Sequence, residues 1–524
     1  MIRIRDISFP PRHDANQLMY ESARALKLSP SQIRRLTIAR RSVDARKKPD
    51  VRYIYTVDVA VDGNEEKILR RSGCKKASVA PVGRYKPPKA KGNLPQRPVV
   101  VGFGPAGMFA ALVLAMAGQR PLVLERGSDA LTRKAKVDHF FATGQLDERT
   151  NVQFGEGGAG TFSDGKLNTG VNNPRIGWVL QQLVAAGAGE SILYDAKPHV
   201  GTDVLLTVVQ NLRSRIQSLG GEIRFDTKVV DLQTQGRQLT GLVLESGEVV
   251  PCSQAVFAIG HSSRDTFAML EGYVPMEPKP FSMGVRIEHR QSVVDESQYG
   301  GCNEPLPPAD YKLVEHLEDA TVYTFCMCPG GYVVAAASEE GRLVTNGMSY
   351  SDRAGDNANA ALLVTLRPDQ FPYPGALGGV RWQRELEEKA FRAGGGNYFA
   401  PAQLVGDFLE HRPSTGPGSV QPTYRPGVTW TDLHEVLPDV ITGPLARALP
   451  KLDGKLHGYA SADAVLTAVE SRSSSPVRIC RDESRQSALR GFYPTGEGAG
   501  YAGGIMSAAI DGILTAEAIL DTLA

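Results

Sequence analysis

The chain has few cysteines and few aromatic residues. Its 524 residues include six cysteines, and 7% are Phe, Trp or Tyr. Six scattered thiols are too few for a disulfide framework, and they are typical of a cytoplasmic protein with reduced cysteines. The N-terminal residues also lack the long apolar core of a signal peptide. We expect no metal site, because the cysteines lack further ligands at suitable spacing. They are Cys74, Cys252, Cys302, Cys326, Cys328 and Cys480.

The chain also lacks a clear membrane span. Residues 98–118 are 21 consecutive uncharged residues, which is long enough for a spanning helix. Gly102, Gly104, Pro105 and Gly107 interrupt this stretch after four positions that are rich in valine. A strand, a turn and a helix explain the stretch better, so we expect no membrane association.

The composition is that of a globular protein, but the charge is unevenly distributed. Hydrophobic residues make up 42% and charged residues 22%, which excludes a disordered, collagen-like or coiled-coil chain. Residues 1–97 hold 23 Lys and Arg against 9 Asp and Glu, whereas the rest hold 36 against 48. The basic part would dock on the acidic body or contact an anionic partner such as RNA. Docking is favoured, because no aromatic residues accompany these charges as they do in RNA-binding modules.

Alternation and linker composition predict a small N-terminal module. Strands are expected over residues 1–9 and 51–61, where apolar residues alternate with polar ones. Ser29-Pro30-Ser31 predicts the start of a helix, since Ser is a good cap and Pro suits the first turn. A proline-rich linker over residues 80–98 ends the module.

The strongest local signal is a strand, a glycine-rich turn and a helix near residue 100. Val99–Val101 precedes Gly102, Gly104 and Gly107, and a second strand ends at Glu125. Gly102 permits the tight turn, Gly104 allows close approach of a pyrophosphate, and Gly107 packs the helix. Phosphates bind at such a helix N-terminus, and Glu125 lies where a carboxylate accepts hydrogen bonds from ribose. The sequence therefore predicts a dinucleotide-binding unit.

Later segments favour FAD over NAD as the dinucleotide. A glycine-dense loop over residues 151–170 can bring backbone amides close to a flat or phosphorylated group. A strand over 255–259 ends at Gly260, and the stretch 496–504 leads into a last helix over 505–523. No strand follows that helix, so the stretch would fold back onto the cofactor of the first unit.

Together these segments resemble two-domain flavoproteins of the glutathione reductase type. More closely, the chain resembles bacterial FAD-dependent dehydrogenases described as NAD(FAD)-utilising, a mostly uncharacterised family. Residues 42–48, 284–289 and 470–478 also carry this resemblance, which covers nearly the whole chain. It implies FAD and redox chemistry but supplies no substrate.

The resemblance implies an α/β fold with three parts. A Rossmann-like FAD-binding domain is built from discontinuous segments, with an inserted antiparallel-sheet (α+β) substrate domain and a small N-terminal α+β domain. We place the basic domain at 1–92, the first FAD segment at 93–275, the insertion at 276–455 and the C-terminal return at 456–524. The inserted domain is expected to be a meander with strands over 282–289, 321–327, 332–337 and 343–348.

The resemblance also implies roles for individual residues. Gly102, Gly104 and Gly107 would hold the pyrophosphate. Glu125 would bind the adenosine ribose, and Val229 would offer its backbone to adenine. The other expected cofactor contacts of the FAD segment are Pro105, Ala106, Arg126, Gly158, Ala159 and Gly260.

The C-terminal return would complete the cofactor site. Gly496 and Glu497 would reach the ribityl and pyrophosphate side. Gly503, Gly504 and Ile505 would present amides near the isoalloxazine, where a helix N-terminus stabilises negative charge on the reduced ring.

No catalytic residue is identified with the same specificity. The cofactor would supply most of the chemistry, while the protein positions the substrate and tunes charge near the ring. The weak candidates are Lys166, Arg286, Glu470 and Arg472. Arg286 could clamp an anionic substrate. A structural ion pair explains Arg286 and Arg472 equally well, and a structural role explains His289 better.

The sequence therefore predicts a FAD-dependent oxidoreductase that exchanges hydride or electrons with a small organic substrate. NAD(P)H could act as electron partner only without a dedicated domain, because one complete dinucleotide unit is present. Two alternatives stay open: an RNA-modifying flavoprotein that uses the basic module, and a non-catalytic flavin-binding protein. The substrate, the direction of electron flow and the oligomeric state are left open.

Overall fold

A four-stranded antiparallel sheet and two helices form the N-terminal module. The computed structural model describes residues 1–81, 83, 85–302 and 304–523. The module consists of β1 (Ile2–Phe9), α1 (Ala15–Leu26), β2 (Ile33–Asp44), β3 (Arg52–Val61), α2 (Glu65–Ser72) and β4 (Ala77–Val79). The strand order is β2-β3-β1-β4. The helix predicted from Ser29 is wrong: Pro30–Gln32 is one 3₁₀ turn, and β2 follows because it pairs along its length with β3.

The module docks on the rest of the molecule through the outer edge of β2. The Arg41 N–H donates to the Tyr194 carbonyl at 2.7 Å, and the Ala196 N–H donates to the Arg41 carbonyl at 2.8 Å. The Arg41 guanidinium also donates to both carboxylate oxygens of Asp195, at 2.7 and 3.1 Å. The docking expected from the charge distribution is therefore present at this edge.

A five-stranded parallel sheet forms the centre of the second unit. In spatial order its strands are β23 (Phe492–Pro494), β11 (Ala255–Phe257), β5 (Val99–Val101), β6 (Leu122–Leu124) and β7 (Glu222–Arg224). A smaller antiparallel sheet contains β8 (Val229–Gln235), β9 (Gln238–Leu244) and β10 (Val249–Pro251). Because β23 comes from the C-terminal part, the prediction of a Rossmann-like domain in discontinuous segments is confirmed.

Helices cover this parallel sheet. They are α3 (Pro105–Met116), α4 (Ala130–Thr143), α5 (Arg175–Ala185), α6 (Thr202–Ser218), α7 (Arg264–Leu270) and α12 (Ile505–Asp521), with 3₁₀ turns at Ala159–Phe162 and Glu190–Leu193. Nearly every residue of α3 is buried, which explains the long uncharged stretch. None of the helices in the described part of the chain is long and apolar enough to cross a membrane.

A seven-stranded sheet forms the third unit. Its strands in spatial order are β14 (Val314–His316), β15 (Thr321–Cys328), β18 (Asn357–Leu366), β13 (Phe281–Arg290), β21 (Val465–Glu470), β19 (Ala400–Leu404) and β20 (Val428–Trp430). The helices of this unit are α8 (Gln291–Tyr299), α9 (Gly378–Ala393), α10 (Val405–Leu409) and α11 (Asp439–Asp453), with a 3₁₀ turn at Pro368–Gln370. Two separate pairs are β16 (Tyr332–Ala335) with β17 (Thr345–Met348), and β12 (Met276–Pro278) with β22 (Val477–Ile479).

This topology corrects two predictions. The strands do not form a meander, because β13 pairs with β18 and β21, which are distant in sequence. The strand β21 also lies beyond the predicted boundary at residue 455. It joins the inserted sheet because it is buried along its whole length between β13 and β19.

Candidate functional site

An elongated cleft runs from the carboxyl ends of the parallel strands to the seven-stranded sheet. Its empty volume is about 1540 Å³. The lining joins the glycine-rich turn after β5 to residues of the seven-stranded sheet. Glu125 and Val229 lie at one end of the lining, and Lys166, Cys326 and Glu470 lie at the other.

Glycines let two backbone segments form the floor of the cleft. A Cβ at Gly102, where φ is +94°, would lie 2.4 Å from the Ala258 carbonyl oxygen. A Cβ at Gly158 would lie 2.9 Å from the Cα of Gly104, so the two loops approach closely only as glycines. Gly104 also caps α3, whose first amides face this floor. Such a floor at a helix N-terminus fits a pyrophosphate.

Glu125 is fixed by backbone hydrogen bonds at the edge of the cleft. Its side chain is 5% exposed. One carboxylate oxygen accepts from the Phe103 N–H at 2.8 Å, and the other accepts from Gly127 and Gly155 at 2.9 and 3.0 Å. A carboxylate has about four acceptor sites, so one remains for a ribose hydroxyl. Glu125 therefore organises the loops as well as fitting its predicted role.

An ion-pair group borders the same end of the cleft. The Arg126 guanidinium donates to both oxygens of Asp265 at 2.9 Å and stacks 4.1 Å from the Phe154 ring centroid. Lys228 lies 2.7 Å from the same carboxylate. Burial opposes ionisation, but these two cations hold the pKa of Asp265 well below its usual range. Arg126 is thus held as a flat wall of the cleft.

Arg133 organises the glycine-dense loop from within, a role that no sequence pattern indicated. It is fully buried, and its guanidinium donates to the carbonyls of five loop residues. They are Asn151, Val152, Gly155, Glu156 and Gly158. Burial lowers the pKa of Arg133 to about 10, partly offset by Glu125 and Glu156. Its position within a helix gives no signal that separates it from a surface arginine.

The C-terminal return closes the other side of the cleft. Gly503 and Gly504 are exposed on its wall, where α12 begins at Ile505. Glu497 also lines the cleft, and its Oε1 lies 3.2 Å from Nδ1 of His261. An amide-rich helix start at this point fits a group that gains negative charge.

All predicted cofactor residues line the cleft except Gly107 and Gly496. Gly107 packs inside the motif, where a Cβ would lie 2.0 Å from the Gly102 carbonyl oxygen. Gly496 donates its N–H to Asp511 at 2.7 Å and lies against Ala106, so it does not face the cleft. Both glycines therefore support the site without lining it.

The far end of the cleft brings together three groups of different chemistry. Lys166 lines it and donates from Nζ to the Met327 carbonyl, and among the described residues it makes no ion pair. Cys326 is exposed to the open cleft, with φ of +42°. Glu470 is 3% exposed, and burial raises the pKa of its carboxyl to about 7 against the effect of Arg286.

Arg286 and Arg472 are both held in buried hydrogen-bond networks. Arg286 is fully buried behind the cleft, and its Nη2 donates to the Cys326 carbonyl at 2.9 Å and to Asn359 at 2.7 Å. It is not placed to clamp a substrate. Arg472 lines the cleft, but its guanidinium donates to the buried Glu387 at 2.9 and 3.1 Å. Glu387 also accepts from Arg264, so Arg472 shares this carboxylate with a second guanidinium.

The surroundings of His289 and Cys328 are structural. His289 is buried, and its Nε2 contacts the Tyr459 carbonyl at 2.6 Å. Burial lowers the pKa of this histidine to about 4. Cys326 and Cys328 are both free thiols, and the Cys328 Sγ donates to the Cys326 carbonyl at 3.2 Å. No metal-binding cluster of His, Cys, Asp or Glu occurs within the described ranges.

Comparison with known proteins defines the class of this chain. Residues 280–473 match the family model for the C-terminal domain of FAD-dependent proteins. Residues 1–60 match a domain of unknown function. The predicted FAD-dependent family and the FAD cofactor are thereby confirmed.

A full-length relative defines the family more closely. An uncharacterised protein of Clostridium beijerinckii is 48% identical over 527 residues, which cover 99% of this chain and 98% of the relative. The chain belongs to the family of this clostridial protein.

Solved flavoprotein structures show more distant likeness. A flavin-dependent brominase is 13% identical, with 82% and 79% of the two chains covered and a TM-score of 0.37. Glycine oxidase of Bacillus cereus is 13% identical, with 82% and 95% covered and a TM-score of 0.33. A variant of E. coli quinol fumarate reductase is 10% identical, with 82% and 71% covered and a TM-score of 0.38. These values carry no conclusion about reaction or substrate.

Proposed function

We propose that the protein is a FAD-dependent oxidoreductase that exchanges hydride or electrons between bound flavin and a small organic substrate. The observation that carries this proposal is the continuity of the cleft. The cleft joins a dinucleotide cradle to a far end lined by Lys166, Cys326 and Glu470, which we call the substrate chamber. A protein that only stored flavin would not need a chamber with ionisable groups beyond the cradle.

Residues at different places along the cleft have different proposed roles. Gly102, Gly104 and Gly158 would hold the pyrophosphate, and Glu125 would hold the adenosine ribose. The start of α12 at Gly504 would stabilise negative charge on the reduced ring. FAD supplies the hydride or electron exchange when it is bound. The seven-stranded sheet provides the wall against which a substrate would be positioned.

The proposed electron partner is the organic substrate rather than a nicotinamide held in its own domain. Among the described residues, one parallel sheet carries a glycine fingerprint, and the later glycine stretch leads only into α12. NADH or NADPH would therefore enter the substrate chamber and reduce the flavin slowly. Six free thiols are consistent with a cytoplasmic location. Nucleic acid is not a proposed partner.

An anaerobic screen tests this function. Oxidised holoprotein is mixed with panels of organic acids, amines and alcohols, and with NADH and NADPH, while the flavin absorbance is followed. We expect one substrate class to bleach the flavin faster than either nicotinamide. A flavin that no donor reduces would favour the non-catalytic alternative, and salt-sensitive binding of tRNA would favour the RNA-modifying one. Reduction of the flavin within milliseconds by micromolar NADH would favour a mechanism in which the nicotinamide binds in a dedicated site.

A further inference from the structure

One carboxylate oxygen at the far end of the cleft has no partner. Glu470 ends β21, and its side chain is 3% exposed although it lines the cleft. Its Oε1 accepts one long hydrogen bond, from Arg286 Nη1 at 3.5 Å. Its Oε2 is buried and accepts no hydrogen bond of standard geometry from the residues that the structure describes, while the Thr345 hydroxyl, also without a partner, faces the same carboxyl and lowers its pKa. Buried polar atoms are rarely left in this state, and such an exception calls for a ligand or a functional role.

The surroundings of Glu470 hold it in place while leaving that oxygen unused. Arg286, on β13, is anchored by Asn359 and by the Cys326 carbonyl. Cys326 stands in the left-handed region within a β-bulge of β15, which turns its side chain toward the cleft. Strained backbone and bulges of this kind occur at functional sites more than elsewhere.

We propose that Glu470 is the acid–base residue of the substrate chamber. This inference rests on the proposed oxidoreductase function and adds the class of substrate. The substrate loses a hydride from one carbon and a proton from a hydroxyl or amino group on that same carbon.

The step balances as a two-electron oxidation with FAD as the oxidant. The C–H bond breaks, and its electron pair leaves with the hydride to FAD. The O–H or N–H bond breaks, its electron pair forms the new C=O or C=N bond, and the proton passes to Oε2 of Glu470. In the reverse direction Glu470 returns that proton.

The charges around Glu470 suit a group that gains and loses a proton near neutrality. Arg286 faces it from β13, and Cys326 and Cys328 face the same region from β15. Lys166 and Glu470 both lie close enough to act on the charge of Cys326, and Arg472, two residues after Glu470, shares the buried Glu387 with Arg264. Burial dominates this balance and raises the pKa of Glu470 to about 7, which is where an acid–base residue works best.

An infrared difference titration tests the proton directly. The purified protein is titrated from pH 5 to pH 9, and the carbonyl band of a protonated carboxyl is followed in wild type, Glu470→Gln and Glu271→Gln. Glu271 is an exposed glutamate at the end of α7 and is the matched control. We expect a band that disappears with a midpoint near pH 7 in wild type and in Glu271→Gln and is missing from Glu470→Gln. A wild-type spectrum without such a band would overturn the proposal, whether or not Glu470→Gln folds.

A second readout links the same proton to the flavin. The midpoint potential of the bound flavin is measured against pH by dye-linked titration. Negative charge on the reduced ring should raise the pKa of a nearby carboxyl, so reduction of wild type just above pH 7 should be accompanied by uptake of up to one extra proton. Glu470→Gln should lose this component and Glu271→Gln should keep it. An unchanged pH dependence in Glu470→Gln would overturn the proposal, whereas protein that binds no FAD would instead contradict the proposed function.

Discussion

At the scale of single residues, we expect Glu125 to stabilise the FAD-free protein as well as to bind FAD. Its carboxylate accepts three buried backbone N–H groups from three loops. Hydrogen bonds to a charged group contribute about 1.5–3 kcal/mol each, and unpaired buried donors carry a further cost. We expect Glu125→Ala to weaken FAD binding by at least that amount and also to lower the thermal midpoint of FAD-free protein.

The FAD-free measurement separates the two roles of Glu125. Calorimetry measures the thermal unfolding of FAD-free wild type, Glu125→Ala and Glu222→Ala. The control Glu222→Ala removes a glutamate that is paired with arginines at the surface. A Glu125→Ala protein as stable as wild type without FAD would show that the carboxylate serves the ribose alone.

Glu470 predicts a specific pH dependence of stability. The unfolded carboxyl loses its proton near 4.5 and the folded one near 7, so the folded state binds more protons between these values. Stability from this group is therefore lost as the pH rises from about 4.5 to 7, by roughly 3 kcal/mol in total. The thermal midpoint of wild type relative to Glu470→Gln should fall from pH 5 to pH 8. A difference that is constant over this range would contradict the raised pKa.

Single residues also show what the sequence could and could not reveal. Gly102 and Glu125 were predictable because a fixed spacing of strand, turn and helix imposes their roles. Arg133 was not, since its partners are carbonyls of a loop that reaches it only in the folded protein. Arg286 does not line the cleft, although the sequence allowed it to clamp a substrate. The alternation of side chains along a strand places Arg286 on one face of β13 but does not tell which face of the sheet borders the cleft.

At the scale of elements, the contact between α12 and α3 positions the C-terminal wall of the cleft. Gly512 of α12 lies against α3, and a Cβ there would be 2.0 Å from the Ala106 carbonyl oxygen. We expect Gly512→Ala to push α12 outward, cost about 1–3 kcal/mol of stability and weaken FAD binding through displacement of Gly504. Thermal unfolding and FAD titration measure both effects.

Gly177→Ala is the control for that substitution. Gly177 lies in α5, and apart from its chain neighbours and the backbone of its own helix no atom lies within 4 Å of the point where an alanine Cβ would stand. Alanine should therefore be neutral there or stabilise the protein by about 0.5–1 kcal/mol. Equal effects of the two substitutions would show that the close helix contact does not matter.

Elements defined by local pattern were easier to predict than those defined by distant pairing. The last helix, predicted over 505–523, lies at Ile505–Asp521, and α3 follows from its motif. The sequence does not predict β2, because Ser29-Pro30 resembles the start of a helix. The strand with which β2 pairs, β3, lies further along the chain. The order of the seven-stranded sheet depends on contacts between β13 and β21, about 180 residues apart, which no local pattern encodes.

At the scale of the whole molecule, the N-terminal module stands apart from the cleft. The lining begins at Val101, and none of its residues comes from 1–92. We expect a chain that starts at residue 93 to keep its FAD, because the fingerprint lies entirely after the linker. A second chain that starts at residue 81 keeps Tyr85, which donates to Glu517 at 2.5 Å, and controls for loss of the linker contact.

Absorbance and circular dichroism of the purified truncations give the result. Both should contain as much FAD per chain as the full protein. A folded truncation that starts at residue 81 and holds no flavin would show that the module takes part in cofactor binding.

The cofactor content of the purified full-length protein is the most direct test of FAD-dependent chemistry in this cleft. After denaturation, the released nucleotide is identified by chromatography and quantified against the protein. We expect a yellow protein with one FAD per chain, reduced by an organic substrate in the same cleft. A colourless protein that binds NAD and no flavin would contradict this expectation.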